Sequence, residues 1–308
     1  MTPLEQKLTF TEFNKQAGWL GQQLVLAQWL ERLRWSGLEI VDDEFMTRTR
    51  SRRPHVEFNN VLATRIRKSS LNRDLDRCLS VLADEQQASR WFLNAHNHEA
   101  EITAQLVERG YEQHTSFSIM AADIALTESL QANPIPPDST QGISIVNDDW
   151  RLQQWVRTLA ATYEFSSDFS NTWLDMMLAC GTGTENPWRH YLYSIDGQAV
   201  GVLSALWTEQ VVVIEVLGVL PQFRAQGVGS ALIRRALGDA QRGGFKLAVS
   251  WPIHAAELVY QNFGFERLGG IDCVTISPDR VLEKDSGPQE PNTAAPTTRR
   301  RVGQGLAS

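Results

Sequence analysis

Cysteine is scarce: Cys78, Cys180 and Cys273 are the only three in 308 residues, with no CxxC spacing. So sparse and odd a set excludes a disulfide framework and fits a reducing, cytoplasmic setting. Each is expected to be a small core or surface residue. The six His (55, 96, 98, 114, 190, 254) show no metal-ligand spacing with Cys or carboxylates, so no metal is expected. His96-Asn97-His98 comes nearest and reads as a solvated loop. Long apolar runs are also missing. The best, Val211 to Leu220, is interrupted by Glu215 and falls short of the roughly 18–20 residues a membrane span needs. The start, MTPLEQKLTFTEFNKQ, lacks a basic stretch followed by an apolar one, so no secretory signal is expected. Positive charge is in deficit, with 29 Lys and Arg against 36 Asp and Glu for a net charge of -7. Broad electrostatic binding to nucleic acid is therefore not expected. Neither GxxxxGK[ST] nor GxGxxG occurs, which disfavours a metal-nucleotide loop and a dinucleotide fold.

What is present is an ordinary globular composition, 42% hydrophobic and 21% charged, with ten Trp. The length suggests about two domains. Residues 10–35 read as helical, with Leu20, Leu24, Ala27, Leu30 and Leu33 at helical spacing. Arg48, Arg50, Arg52 and Arg53 read as a basic loop before Pro54. Then follow a strand over Val56–Thr64, a helix from Asn72 or Asp74 to about Gln87, a strand Arg90–Leu93, a helix His98–Arg109 stopped by Gly110, and a strand Tyr111–Ala121. Residues 131–141 hold three prolines and read as a linker. Beyond it come a strand Ile143–Val146, helices near Asp149–Thr162 and Ser170–Cys180, and strands His190–Ile195 and Ala199–Trp207 joined at Asp196-Gly197. Strand Val211–Val219, helix Val228–Arg242, strand Lys246–Ser250, helix Ala255–Asn262 and strand Asp272–Ser277 complete the pattern. The tail from Asp285 has too little apolar content to fold.

The segment VVVIEVLGVLPQFRAQGVG (Val211–Gly229) carries the chemistry. A buried strand runs through Pro221 into Arg224-x-x-Gly227-x-Gly229 at a helix start. Glycines allow close backbone approach, and first-turn N–H groups lack intrahelical partners. Such a site suits a pyrophosphate, although a tight, closely packed turn would use the same residues.

The order of elements over residues 142–278, with Val219-x-Pro221-x-x-Arg224-x-x-Gly227-x-Gly229 and Tyr260-x-x-x-Gly264-Phe265, resembles the GNAT superfamily of N-acetyltransferases. The resemblance implies an α/β (α+β) fold, a mixed central sheet flanked by helices, and acetyl-CoA as co-substrate. It implies that the backbones of Leu217, Gly218 and Val219 pair with the pantetheine arm. Arg224, Ala225, Gln226, Gly227, Val228, Gly229 and Ser230 would hold the pyrophosphate, and an N–H near Leu217 would face the thioester oxygen. Tyr260 takes the place of the general acid, or is a core tyrosine at a helix end. Glu215 takes the place of the carboxylate that serves as base, or is a strand residue that faces a solvated cleft wall or is paired with an Arg. Tyr163, Glu164 and Asp168 fall on the loop expected to face the amine; two carboxylates there suit a cation, or are simply solvated. Where the family commonly has Asn, this chain has Ile253 beside His254.

At an offset of 154 residues, Gly110 falls on Gly264, and the strands and helices of the first half fall on those of the second. This suggests an internal repeat. In the first copy Ser70 stands for Arg224, Arg73 for Gly227, Leu75 for Gly229 and Leu106 for Tyr260, so that copy is degenerate and should serve as scaffold or substrate wall. The expected organisation is 1–130 (degenerate copy), 131–141 (linker), 142–280 (acetyltransferase domain) and 281–308 (tail). The expected function is acetyl transfer from acetyl-CoA to a small-molecule or peptide amine by direct attack, without nucleic acid or membrane. The alternative is a non-catalytic CoA-binding sensor or partner-binding module.

Overall fold

The computed structural model describes residues 8–85, 88–94, 99–124 and 142–276. The 131–141 linker, His96-Asn97-His98 and the 281–308 tail lie outside these residues.

In the first half, helices α1 (Phe10–Lys15) and α2 (Ala17–Glu31) precede strands β1 (Leu38–Asp42), β2 (Met46–Ser51) and β3 (Asn60–Thr64). Helix α3 (Leu71–Asp84), β4 (Ser89–Asn94), α4 (Glu99–Glu108) and β5 (Glu112–Asp123) follow. The second half runs β6 (Ile143–Ile145), α5 (Asp149–Tyr163), α6 (Ser167–Cys180), β7 (Trp188–Ile195), β8 (Gln198–Trp207), β9 (Val212–Val219), α7 (Val228–Arg242), β10 (Leu247–Ser250), α8 (Glu257–Gln261) and β11 (Glu266–Ile276). Local chemistry sets these boundaries. Asp148 caps α5 by accepting from the Arg151 N–H at 2.7 Å, and Ser166 caps α6 by accepting from the Phe169 N–H. Asp196 and Gly197 turn the β7–β8 hairpin at φ 48° and 80°, as a tight turn requires.

Three expectations change. The first half of the basic loop, Arg48 and Arg50, lies in strand β2, and its charge is spent internally. Buried Arg48 pairs with Glu85 at 2.7 and 2.9 Å, while Arg50 bonds Glu39 and Glu85. Residues 56–58 form a 3-10 turn rather than the start of a strand, because the Asn59 carboxamide ties the turn back to Ser51 and His55. Strand β11 starts at Glu266, six residues earlier than the sequence suggests; Gly269 and Gly270, which weaken a strand signal, sit at a register shift within it.

All eleven strands form one sheet, in the order β1-β2-β3-β4-β11-β5-β10-β9-β8-β7-β6. Only β3–β4 and β9–β10 pair in parallel. The halves interleave at the centre: β11 lies between β4 and β5, and β5 lies between β11 and β10. Each half thus inserts its last strand beside the other's parallel pair. The 154-residue offset survives in three dimensions, since Gly110 and Gly264 both take positive φ (85° and 77°) and introduce these exchanged strands. Neither sheet half is complete without the other.

The cores follow from this. On one face, α1, α2, α5 and α6 bury a single cluster running across both halves. On the other, α3 and α4 cover one cluster and α7 and α8 another. Among the described residues, Trp29, Trp35, Trp155, Trp173, Trp188 and Trp251 lie in or against the shared cluster, so they fasten the halves together. Cys78, Cys180 and Cys273 are buried free thiols, and burial pushes Cys78 up to about 12 and Cys273 to about 11.

His190 sits in the shared core between Trp155 and Trp188, with its Nδ1 2.6 Å from Ser204 Oγ. Burial, and then the nearby Arg32 guanidinium, depress it to about 3. The native state therefore keeps His190 neutral, whereas the unfolded chain protonates it near pH 6.5. Its contribution is complete above pH 6.5 and is lost as the pH falls toward 3. Between pH 7 and pH 5, urea unfolding should lose about 2 kcal/mol through this residue, and His190→Gln should remove that part of the slope.

Candidate active site

Strands β9 and β10 pair only from Val212 to Ile214, opposite Ala248 to Ser250. Beyond that point β9 continues to Val219 while β10 leaves, so the sheet splays at Leu217. The Leu220 N–H donates to the Val200 carbonyl at 2.9 Å, which fixes the β8–β9 register. In that register Leu217 and Val219 turn their N–H and C=O groups away from β8, toward the gap. Two side chains already reach those carbonyls: the Tyr163 hydroxyl donates to Leu217 O at 2.8 Å and Arg224 Nε to Val219 O at 3.1 Å. A carbonyl keeps a second lone pair, and both N–H groups face the gap.

The turn after β9 leads into α7. Pro221–Phe223 make one 3-10 turn, Ala225 takes φ 58°, and Gly227 caps the helix at φ 83°. The first bond of α7 runs from Ala231 N–H to Gly227 O, leaving the N–H groups of Val228, Gly229 and Ser230 without intrahelical acceptors. A side chain at Gly229 would lie in van der Waals contact with Val219 and Leu217, in the space between the helix start and the strand. Arg224, Ala225, Gln226 and Gly227 are exposed around it. Free N–H groups, a positive helix end and a surface kept clear by glycine fit a pyrophosphate, and the adjoining free strand edge fits an extended pantetheine arm.

Two tyrosines close on the splay. Tyr260, buried in α8, is hydrogen-bonded to Ser250, whose Oγ donates to Ile214 O at 3.0 Å. Burial pushes its phenol up to about 12, with Tyr163 adding a smaller push in the same direction. Tyr260 belongs to the α7–α8 side of the sheet, whereas Tyr163 comes from the end of α5. The gap therefore connects the face bearing the start of α7 with the face bearing the shared core.

Glu215 lies on that second face. It is the unpaired residue of a bulge in β9, between Ile214 and Val216. The Arg32 Nη2 donates to both its oxygens at 2.6 Å. Arg32, just past α2, is almost wholly buried, with its guanidinium over the rings of Trp29 (4.7 Å) and Trp188 (4.5 Å). The carboxylate on the central strand of the second half is thus held by a cation from the first.

The sequence candidates separate accordingly. Tyr163 and Glu215 border one cavity of about 280 Å³. Glu164 does not; it ends α5 in the left-handed conformation at φ 57°. Asp168 is exposed in the first turn of α6, 2.8 Å from His55 Nε2. His254, which stands next to the position where Asn was expected, points into solvent and pairs with Glu257 at 3.0 Å, so it does not replace that contact. Arg32, Trp29, Phe92, Phe117 and Ser250 were not legible as site residues. No local motif marks them; β-strand exchange and the β10 terminus bring them in.

Among the described residues no group of His, Cys, Asp and Glu could hold a metal ion, and no helix is long and apolar enough to cross a membrane. No curated protein is similar enough to the chain to count as a relative. Among solved structures, the GCN5-related N-acetyltransferase from Kribbella flavida is similar at 15% identity and TM-score 0.58, over 82% of this chain and 94% of that one. A tandem GNAT protein from the clavulanic acid biosynthesis pathway is similar at 14% identity and TM-score 0.55, over 92% and 99%. A conserved protein of unknown function from Staphylococcus epidermidis gives 12% identity and TM-score 0.58, over 78% and 94%. At such identities the likeness is one of fold. Residues 152–265 match the acetyltransferase (GNAT) family itself, and this span holds the splay, the cradle, Glu215 and Tyr260. The second half of the chain therefore carries a GNAT-family domain, built into a sheet that has the fold of tandem GNAT proteins.

Proposed function

We propose that the protein is an N-acetyltransferase that moves an acetyl group from acetyl-CoA to an amine. The observation that carries this reading is the splay at Leu217, with a strand edge that β10 leaves unpaired on one side and a helix start without a side-chain cap beside it. Leu217, Gly218 and Val219 would hold the pantetheine arm through their backbone, and the α7 start from Arg224 to Ser230 the pyrophosphate. Bound there, acetyl-CoA supplies an activated acyl group and a thiolate leaving group. The Leu217 N–H is aimed into the gap, where it can stabilise negative charge on the carbonyl oxygen. Tyr260 holds its proton at neutral pH and can give it to the departing sulfur. Glu215, on the acceptor face, can take the amine's proton through water. The three free thiols support a reducing, cytoplasmic setting.

The first half supports the reading as a worn copy that does not bind CoA. At the start of α3, in place of a cradle, the buried Asp74 carboxylate accepts from Ser70 Oγ at 2.6 Å and faces Arg67 and Arg73. The Ser70 hydroxyl, above all, holds it below the usual carboxylate range. Leu75 and Leu106 are buried in the core beneath. An internal carboxylate thus occupies the place of a ligand anion.

Thiol release from acetyl-CoA with a panel of amines tests the activity. Gly229→Val should abolish CoA binding, by about 100-fold or more, while the protein stays folded, because the added side chain fills the cradle. Gly227→Arg should do the same. One CoA still bound per chain, measured calorimetrically, would assign binding to the first half and overturn its reading as a worn copy.

A further inference from the structure

We infer that the amine acceptor is a monoamine carried by a short chain on a flat, apolar, aromatic-sized body. This rests on the acyl-transfer reading of the splay. The cavity in front of the splay has Glu215 and Tyr163 at the splay, Glu57 and Arg90 elsewhere on its wall, and aromatic walls from both halves. The first half contributes Trp29, Phe92 and Phe117; the second contributes Phe165, Phe169 and Trp251. These walls exist as one enclosure because β11 and β5 are exchanged: Phe92 on β4 and Phe117 on β5 reach the same cavity with their rings 6.4 Å apart.

The lining selects by desolvation. A polyamine, an amino sugar or a lysine side chain with its peptide would bring more polar groups than the few polar atoms on this wall, such as Gln28 Nε2 and Trp251 Nε1, can satisfy, and the surplus would go unpaired. An aromatic body gains instead about 25 cal/mol per Å² of apolar surface removed from water, with offset or edge contacts to the rings. A cavity of about 280 Å³ is at the small end for ligand sites, which suits one such body and not an oligosaccharide. Only one cationic group is provided for near the gap. Glu215 and the faces of the rings receive it, while Arg32 already balances half of that exchange. The second carboxylate on the wall, Glu57, is offset by Arg90 as Glu215 is by Arg32, so the cavity has no surplus negative charge for a second ammonium. Arg90, the remaining charged group on the wall, is engaged by Asn60 and by the face of Phe92 at 5.0 Å. Transfer forms the amide C–N bond and breaks the C–S bond. One proton leaves the amine and one reaches the sulfur, with no oxidant or reductant required.

The test uses the full chain. Thiol release with acetyl-CoA is measured for phenethylamine and tryptamine against spermidine, glucosamine and a lysine peptide. Tryptophan fluorescence reports amine binding independently, since Trp29 and Trp251 line the cavity. The aryl amines should exceed the polar amines about 100-fold in kcat/KM, and Phe165→Ser, on the loop between α5 and α6, should raise their KM about tenfold with the CoA affinity unchanged. Turnover of polar amines at equal or higher kcat/KM overturns the inference and leaves acyl transfer standing. Saturable aryl-amine binding, weakened by Phe165→Ser but without thiol release, supports the cavity assignment and overturns acetyl transfer. A cavity that instead holds a fatty acyl chain, seen as octanoyl-CoA preferred over acetyl-CoA and lost in Phe165→Ser, overturns the inference, as does neither binding nor turnover of any aryl amine.

Discussion

Tyr260→Phe should lower turnover by about two orders of magnitude while changing acetyl-CoA affinity by less than about threefold. The ring would remain in the buried site against Phe265, edge to face at 5.4 Å, so packing is preserved. What disappears is the hydroxyl bonded to Ser250 at the point where β10 leaves β9. That hydroxyl interacts with a group that becomes basic only as the C–S bond breaks, which is why the loss should fall on kcat. The same residue makes a pH prediction. Its phenol is raised to about 12 by burial, so the proton stays on through the alkaline range and no loss of activity below about pH 10 should trace to Tyr260. Equal turnover in the phenylalanine variant would remove Tyr260 from the mechanism. Pre-steady-state thiol release together with calorimetric CoA binding separates the two quantities.

Arg32→Met should destabilise the protein by about 3–5 kcal/mol, because it leaves a carboxylate largely buried beside aromatic rings with its guanidinium removed. The methionine would still fill much of the space between Trp29 and Trp188, so the cost is electrostatic more than steric. The double variant Arg32→Met, Glu215→Leu removes both charges and should recover most of the stability, though not the activity. Denaturant unfolding of the two single variants and the double one gives the coupling directly. Additive effects would mean that Arg32 stabilises the core through its tryptophans alone. If the double variant kept wild-type turnover, Glu215 would have no part in proton removal.

Much of the second half was legible because its signals are local. Helix α7 falls where Gly227 and Gly243 bracket an amphipathic run, and the β7–β8 hairpin follows from Asp196-Gly197. The turn into α7 was legible for the same reason: Arg224 to Ser230 needs only a strand end, a turn and a helix start in succession. Glu164 and Asp168, expected to face the amine, remain on the outside, because a loop's net charge does not say which way its side chains point. Arg48 and Arg50 misled in the opposite direction. Their density suggested a solvated loop, and their partners Glu39 and Glu85 are 11 and 37 residues away along the chain.

The sequence by itself determined the order of elements and the glycine-bearing start of α7, since each rests on neighbours within a turn, and a family resemblance singled out Tyr260 and Glu215. Tertiary structure decided what surrounds them. The 154-residue repeat suggests two similar units, but nothing in it tells that β5 and β11 trade places. That exchange is a choice among sheet edges of similar hydrogen-bonding capacity, settled by packing across the whole shared core. It carries Arg32 onto Glu215 from 183 residues away and closes one aromatic cavity from two halves of the chain.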